Sequence, residues 1–267
     1  MSRLANKFAE LKSQGRKALI PFITAGDPFP AFTVPMLHAM VAAGVDVIEL
    51  GVPFSDPMAD GPVIQRASER ALSHHVGLRK VLSMAAEFRQ TDQTTPLVLM
   101  GYLNPIEIMG YEAFANGAQR ADVDGVLTVD LPPEESVGCV SQLRERAIDQ
   151  IFLLAPNSNA ERIRKMHNVG SGYLYYVSLK GVTGAGHLDT AAVEKKLQEI
   201  RANTDLPICV GFGVKDAQTA AIIAKLADGV VVGSALINKI EANLDDPEQA
   251  EKEIIALLKS MRQAMDS

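Results

Sequence analysis

The sequence predicts an α/β fold, a (β/α)8 TIM barrel that forms a single domain over residues 1–267. Three observations predict it: eight short apolar runs, amphipathic helical stretches between them, and no change of composition along the chain. Each run has five to nine residues and is nearly continuously apolar, which is typical of parallel strands buried on both faces. An open doubly wound sheet usually has fewer strands and a G-x-G-x-x-G opening, which the sequence lacks.

The predicted strands are residues 18–26, 45–51, 96–102, 124–130, 151–155, 172–178, 207–213 and 228–235. Helices are expected at roughly 3–12, before the first strand, and at 34–44, 67–72, 78–90, 137–147, 160–168, 191–203, 216–226 and 248–264. A short extra helix should begin near Ser234, after the eighth strand. Two connections, 52–66 and 179–190, are longer than a barrel needs. Both should project from the C-terminal face, where active sites of such barrels lie.

Composition narrows the function classes. A formal net charge of −6 gives no basic surface, which argues against nucleic acid and anionic membranes as partners. The two cysteines, Cys139 and Cys209, lie far apart and favour a reducing compartment, so we expect a soluble cytoplasmic protein. The five histidines show no metal-ligand spacing, and no metal site is expected.

Glu49 is the first candidate for chemistry. Along the second strand, side chains alternate, so Val45, Val47, Glu49 and Gly51 should share the face toward the barrel axis. Burial there should raise the pKa of Glu49 toward neutrality and let it give and take protons. The alternative is a structural Glu paired with an inward Lys or Arg, but the strand segments contain no such residue.

The loop after this strand carries two more carboxylates, Asp56 and Asp60. Three prolines stiffen the loop and lower the entropy cost of holding a side chain in place. Either aspartate could also be an ordinary turn-forming residue, Asp56 in "SDP" and Asp60 in "ADGP". A carboxylate near Glu49 could divide acid and base roles with it, but the spacing does not say which aspartate points inward.

Glycines at the ends of the last strands predict a phosphate site. "VGFGV" (210–214) and "VGSAL" (232–236) follow strands 7 and 8, and "GVTGAG" (181–186) lies in the loop after strand 6. Glycines let backbone amides approach an anion, and the helix near Ser234 would direct its N-terminus at it.

Five large side chains at strand ends could form a wall around a ring, although each alone could be core packing: Phe22, Tyr102, Leu127, Tyr175 and Phe212.

These residues resemble the tryptophan synthase α subunit family. The resemblance lies in "IELGVPFSDPMADGP" (48–62), with support from "PFITAGDP" (21–28), "MGYLNP" (100–105), "GVLTVDLPPEE" (125–135) and "KGVTGAG" (180–186). It implies a TIM barrel and a lyase of tryptophan biosynthesis. The implied reaction is retro-aldol cleavage of indole-3-glycerol phosphate to indole and glyceraldehyde 3-phosphate.

The resemblance also implies roles for individual residues. Glu49 is the general acid and base, and Asp60 binds the indole N–H and stabilises the charge of the protonated ring. The five large side chains named above hold the ring. Gly184, Gly213, Gly233 and Ser234 hold the phosphate, and Thr183 helps to close a loop over Asp60. The chain departs from the family at Leu179, Lys180, Gly186 and Met100, which bears on loop closure.

The family further implies a partner, a β subunit in an α2β2 heterotetramer that receives the indole. Pyridoxal phosphate belongs to that β subunit, and this chain needs no cofactor. Loops 52–62 and 179–190 would face the partner. Three other functions stay open: a different phosphosugar barrel such as indole-glycerol-phosphate synthase or phosphoribosylanthranilate isomerase, a mainly regulatory subunit, and a free-standing indole-releasing lyase.

Overall fold

A closed barrel of eight parallel strands, paired in chain order, forms the centre of the protein and confirms the predicted TIM barrel. The computed structural model describes residues 2–177, 190–211 and 213–267. The strands are β1 (Ala18–Thr24), β2 (Ile48–Gly51), β3 (Leu97–Gly101), β4 (Gly125–Thr128), β5 (Asp149–Leu154), β6 (Leu174–Val177), β7 (Ile208–Gly211) and β8 (Gly229–Val232). Each of the eight runs predicted from sequence contains or overlaps one of these strands.

Helices surround the barrel. In the described residues they are α1 (Arg3–Ser13), α2 (Pro30–Ala42), α3 (Pro62–Ser73), α4 (Leu78–Phe88), α5 (Leu103–Met109), α6 (Tyr111–Arg120), α7 (Val137–Arg144), α8 (Ala160–Val169), α9 (Thr190–Arg201), α10 (Ala217–Ala224), α11 (Ser234–Ala242) and α12 (Pro247–Met265). The extra N-terminal helix is α1, and the extra helix after the last strand is α11. None of the described helices is long and apolar enough to cross a membrane.

Helices α5 and α6, between the third and fourth strands, were not predicted from the sequence. Gly110, with φ of +86°, separates these two short helices and interrupts the apolar period of 3.6 residues. The start of α3 was also placed too late. Gly61 at the N-cap and Pro62 at the first helical position start this helix directly after Asp60.

Helix α1 closes the N-terminal end of the barrel. Its buried residues Leu4, Phe8 and Leu11 pack with side chains of the barrel interior. Ser2 caps the helix, because its hydroxyl accepts a hydrogen bond from the backbone N–H of Ala5 at 3.2 Å. With one end closed in this way, a ligand has access to the barrel interior from the C-terminal mouth, the end at which the strands terminate.

Aspartates just before three of the strands, β2, β4 and β8, each bind the backbone of the preceding strand. Asp46, before β2, accepts a hydrogen bond from the N–H of Leu19 in β1 at 2.9 Å. Asp124, before β4, accepts one from the N–H of Leu97 in β3 at 2.8 Å. Asp228, before β8, accepts one from the N–H of the first residue of β7. Charge-assisted bonds of this kind are stronger than neutral ones, so they hold the scaffold beneath the mouth in register.

Candidate active site

Glu49 lies inside the barrel, on the face that strand alternation predicts. Val47 packs in the interior cluster, whereas Ile48 and Leu50 pack in the outer cluster between strands and helices. Val45 was predicted to share the inner face, and this is wrong: it precedes the first residue of β2 and packs in the outer cluster. The alternation therefore still applies at Val47, directly before the strand, but not at Val45.

The carboxyl group of Glu49 is fully buried. Tyr173 donates its hydroxyl to Oε1, and Oε2 has no hydrogen-bond partner in the part of the chain that the structure describes. Burial raises the pKa of Glu49 to about 8, and the bond from Tyr173 offsets only part of this rise. At neutral pH this carboxyl is therefore mostly protonated and can donate a proton.

Asp60 is the second carboxylate at the mouth. The hydroxyl of Tyr102, which follows β3, donates to Asp60 Oδ2 at 3.0 Å and accepts from the N–H of Ala59 at 3.0 Å. Tyr102 is buried and stacks on Phe54, with ring centroids 5.2 Å apart. Burial raises the pKa of Asp60, and the Tyr102 hydrogen bond opposes that rise.

Asp56 lies elsewhere. It is exposed, and its carboxylate accepts a hydrogen bond from the hydroxyl of Ser55 at 2.5 Å. Of the two aspartates between which the spacing left a choice, Asp60 borders the recess at the mouth and Asp56 does not.

A recess at the mouth, between the ends of β1, β2 and β3, brings several candidate residues together. Its lining includes Phe22, Thr24, Asp60, Met100 and Tyr102. In the barrel register Phe22 is paired with Glu49, so the buried carboxyl lies beside the aromatic wall of this recess. An acid, an acceptor for an N–H and flat apolar walls together suit an aromatic ring that carries an N–H group.

Of the other predicted ring residues, Leu127 and Tyr175 lie in the described part of the chain. Leu127 is fully buried in the interior cluster. Tyr175 is half-buried, and Gly211 leaves room for it, because a Cβ at Gly211 would lie 2.0 Å from the Tyr175 hydroxyl. Burial and the charges of Glu49, Cys209 and Asp60 raise the pKa of Tyr175.

The predicted phosphate residues lie at the same end of the barrel, as far as they are described. Gly213 is exposed, with φ of +74°, just beyond β7. Gly233 is the N-cap of α11 and Ser234 is its exposed first residue. Unsatisfied N–H groups at a helix N-terminus favour an anion. Thr183, Gly184 and Phe212 lie outside the described residues, as do Leu179, Lys180 and Gly186.

Tyr173 and Thr24 were not predicted. Tyr173 is fully buried and holds Glu49, and Thr24 is buried at the recess with a hydroxyl that has no partner among the described residues. A signal for both was present in the sequence: Tyr173 alternates with Tyr175, and Thr24 alternates with Phe22, so each pair shares a strand face. In the same described part of the chain, no group of three or more His, Cys, Asp or Glu residues is placed to hold a metal ion.

Comparisons with known proteins identify the family of the chain. Residues 8–266 match the model of a family described as tryptophan synthase alpha chain. The chain is 65% identical over 267 residues to the tryptophan synthase alpha chain of Methylococcus capsulatus, and 62% identical over 266 residues to that of Thioalkalivibrio sulfidiphilus, with 100% of both proteins covered in each case. Its structure is similar to tryptophan synthase subunit alpha from Legionella pneumophila, with a TM-score of 0.93, 47% identity, and coverage of 100% of this chain and 99% of that one.

The family match spans almost the whole chain, and the structure is the expected closed barrel. This favours the lyase over the other phosphosugar barrels that the sequence left open. The chain therefore belongs to the tryptophan synthase alpha chain family, the lyases that cleave indole-3-glycerol phosphate in tryptophan biosynthesis.

Proposed function

We propose that Glu49 and Asp60 carry the cleavage of indole-3-glycerol phosphate in this chain. The observation that carries the proposal is the Glu49 carboxyl, fully buried, with one oxygen unpartnered in the described residues and a pKa raised to about 8. A carboxyl with a pKa near the working pH can act first as an acid and then as a base. Retro-aldol cleavage needs both actions in turn.

In the first step, protonated Glu49 donates its proton to the indole ring carbon that bears the glycerol chain. Asp60 accepts a hydrogen bond from the ring N–H and stabilises the positive charge that the ring gains. In the second step, the Glu49 carboxylate removes the proton from the hydroxyl next to the scissile bond. A carbonyl forms, the carbon–carbon bond breaks, and its electron pair returns to the ring, which leaves as indole. Glu49 ends protonated, as it began.

Binding groups complete the proposed site. Phe22, Tyr102, Leu127, Tyr175 and Phe212 would contact the ring, and Thr183 would help to close over Asp60. Gly184, Gly213, Gly233 and Ser234 would hold the phosphate. Tyr173 acts through Glu49: it holds Oε1, while Oε2, which has no partner among the described residues, would face the substrate. Because the two steps require only proton transfer and charge stabilisation, we propose that they use no cofactor in this chain.

The proposed partner is a β subunit that contains pyridoxal phosphate, in an α2β2 complex in which it receives the indole. Exposed apolar side chains support a docking surface on the mouth. Met58, Ile108 and Val137 are 86%, 83% and 69% exposed, and they follow the C-terminal ends of three consecutive strands, β2, β3 and β4. Exposed apolar groups on one rim are typical of a protein interface.

We also propose that residues 1–267 form one domain and that the protein is cytoplasmic. Helix α1 packs into the barrel interior, and Arg262 of α12 donates to Asp46 before β2 at 2.9 Å, so both ends of the chain are attached to the barrel. The two cysteines are buried and unpaired, which fits a reducing compartment.

The test is release of indole from indole-3-glycerol phosphate by the purified chain, with and without a β subunit. We expect Glu49→Gln and Asp60→Asn to lose activity by about 10²–10⁴-fold, the usual contribution of a positioned acid or base. Asp56→Asn is the matched control, since it makes the same change in the same loop outside the recess, and it should stay near the parent rate.

Two results would contradict the proposal. Full activity in Glu49→Gln would remove Glu49 from the mechanism. Absence of indole from the parent, both alone and with the β subunit, would leave a mainly regulatory subunit. Binding of glycerol 3-phosphate to Glu49→Gln should persist, which shows that the variant is folded.

A further inference from the structure

Four charged residues join α3, α11 and the loop after β1, and we name them the α3–α11 ion cluster: Asp27, Arg66, Arg70 and Glu241. Arg66 donates to both carboxylate oxygens of Glu241, at 2.5 and 2.7 Å. Arg70 donates to both oxygens of Asp27, at 2.6 and 3.0 Å, and to Glu241 at 3.3 Å. Paired two-point contacts of this kind restrict orientation as well as distance.

Helix α3 connects this cluster to Asp60. The helix that carries Arg66 and Arg70 starts at Pro62, two positions after Asp60. In its first turns, the side-chain amide of Gln65 donates to the backbone carbonyl of Asp60 at 2.9 Å. A shift of α3 along the barrel rim would therefore move the backbone of Asp60.

Helix α11 connects the cluster to the proposed phosphate residues. Glu241 lies in the last turn of α11, whose N-terminus holds Gly233 and Ser234. The backbone at Gly233 lies against Phe22, since a Cβ there would approach the Phe22 side chain to 3.4 Å. Between these two ends, α11 packs on the core through three buried apolar residues: Leu236, Ile237 and Ile240.

We propose that Arg66 and Glu241 are positioning residues that hold Asp60 and the phosphate-facing start of α11 at a constant separation, so that each half of the substrate favours binding of the other. The proposal rests on the function proposed above for Asp60, Gly233 and Ser234. Neither Arg66 nor Glu241 lines the recess itself. Their effect passes through two helices, and each helix has a proposed substrate contact at or beside its N-terminus.

The experiment measures the coupling between two ligands, indole and glycerol 3-phosphate, by titrating each in the absence and presence of the other. Coupling between sites is typically about 5–150-fold in affinity and must be reciprocal. In the parent we expect each ligand to raise the affinity of the other by about 5-fold or more. Glu241→Gln should reduce this factor to about 2 or less and raise KM for indole-3-glycerol phosphate several-fold, with kcat little changed.

Glu253→Gln is the matched control. It removes the same charge from a pair of similar exposure, Lys239–Glu253 at 3.0 Å, which joins α11 to α12 and does not involve α3. It should leave the coupling factor and KM as in the parent. Arg66→Met removes the Arg66–Glu241 contact from the other side. The double variant should be no worse than Glu241→Gln alone, because Glu241→Gln already removes that contact together with the one from Arg70.

Two results would overturn the inference. One is a coupling factor in Glu241→Gln and Arg66→Met equal to that of Glu253→Gln, even if both variants unfold more easily. The other is an additive double variant. Failure of the proposed function has a different result, since Glu49→Gln would then keep full activity whatever the coupling factor is.

Discussion

Replacing Glu49 by Gln should change how the free energy of unfolding depends on pH. Burial raises the pKa of Glu49 from 4.5 to about 8, so the folded chain binds this proton more tightly than the unfolded chain does. The contribution of that proton to stability is complete below pH 4.5. It is lost as the pH rises toward 8, because the unfolded chain releases this proton in that range whereas the folded chain still binds it.

The size of the effect follows from the two pKa values. Each pKa unit corresponds to about 1.4 kcal/mol, so a rise from 4.5 to about 8 corresponds to roughly 5 kcal/mol between pH 4 and pH 9. Gln is neutral at every pH and can still accept the hydrogen bond from Tyr173. The difference in stability between Glu49→Gln and the parent should therefore shift in favour of the variant by roughly 5 kcal/mol over that range.

The assay is urea unfolding of both proteins at pH 4, 7 and 9, with the free energy of unfolding extrapolated to water. Glu87→Gln on α4 makes the same chemical change at an exposed side chain, and its curve should run parallel to that of the parent. Equal differences between Glu49→Gln and the parent at pH 4 and pH 9 would refute the reasoning, since they would mean that folding does not perturb this carboxyl.

Two further predictions concern side chains that touch the site. Tyr173→Phe removes the hydrogen bond that lowers the pKa of Glu49, so the fall of kcat/KM for indole release on the alkaline side should move to higher pH than in the parent. An unchanged or lower alkaline limb would contradict the assignment of that limb to Glu49. Gly211→Ala puts a Cβ 2.0 Å from the Tyr175 hydroxyl and must displace that ring, at a cost of about 1–3 kcal/mol. KM for indole-3-glycerol phosphate should rise by roughly 10-fold in a folded protein, whereas Gly77→Ala, where a Cβ meets open space, should match the parent; equal KM values in the two variants would refute the steric argument.

Local patterns were sufficient to predict the strands and the side of the strand on which Glu49 lies. Apolar runs mark strands buried on both faces, and alternation assigns Glu49 to the barrel axis before any neighbour is known. The same alternation fails at Val45, where the strand has not yet begun. It also gives no account of α5 and α6, because Gly110 divides the period that marks a helix.

Contacts between distant parts of the chain decided the remainder. The partner of Glu49 is Tyr173, 124 positions away, and the hydrogen bond to the Asp60 carboxylate comes from Tyr102, 42 positions away. Arg66 and Glu241 are 175 positions apart. The sequence by itself determined the barrel, the inward carboxylate and the glycine-rich strand ends, since these depend on residue type and period. Only the tertiary structure decided how deeply Glu49 is buried, which aspartate lines the recess and how α3 is joined to α11, because closure of the barrel alone brings those residues together.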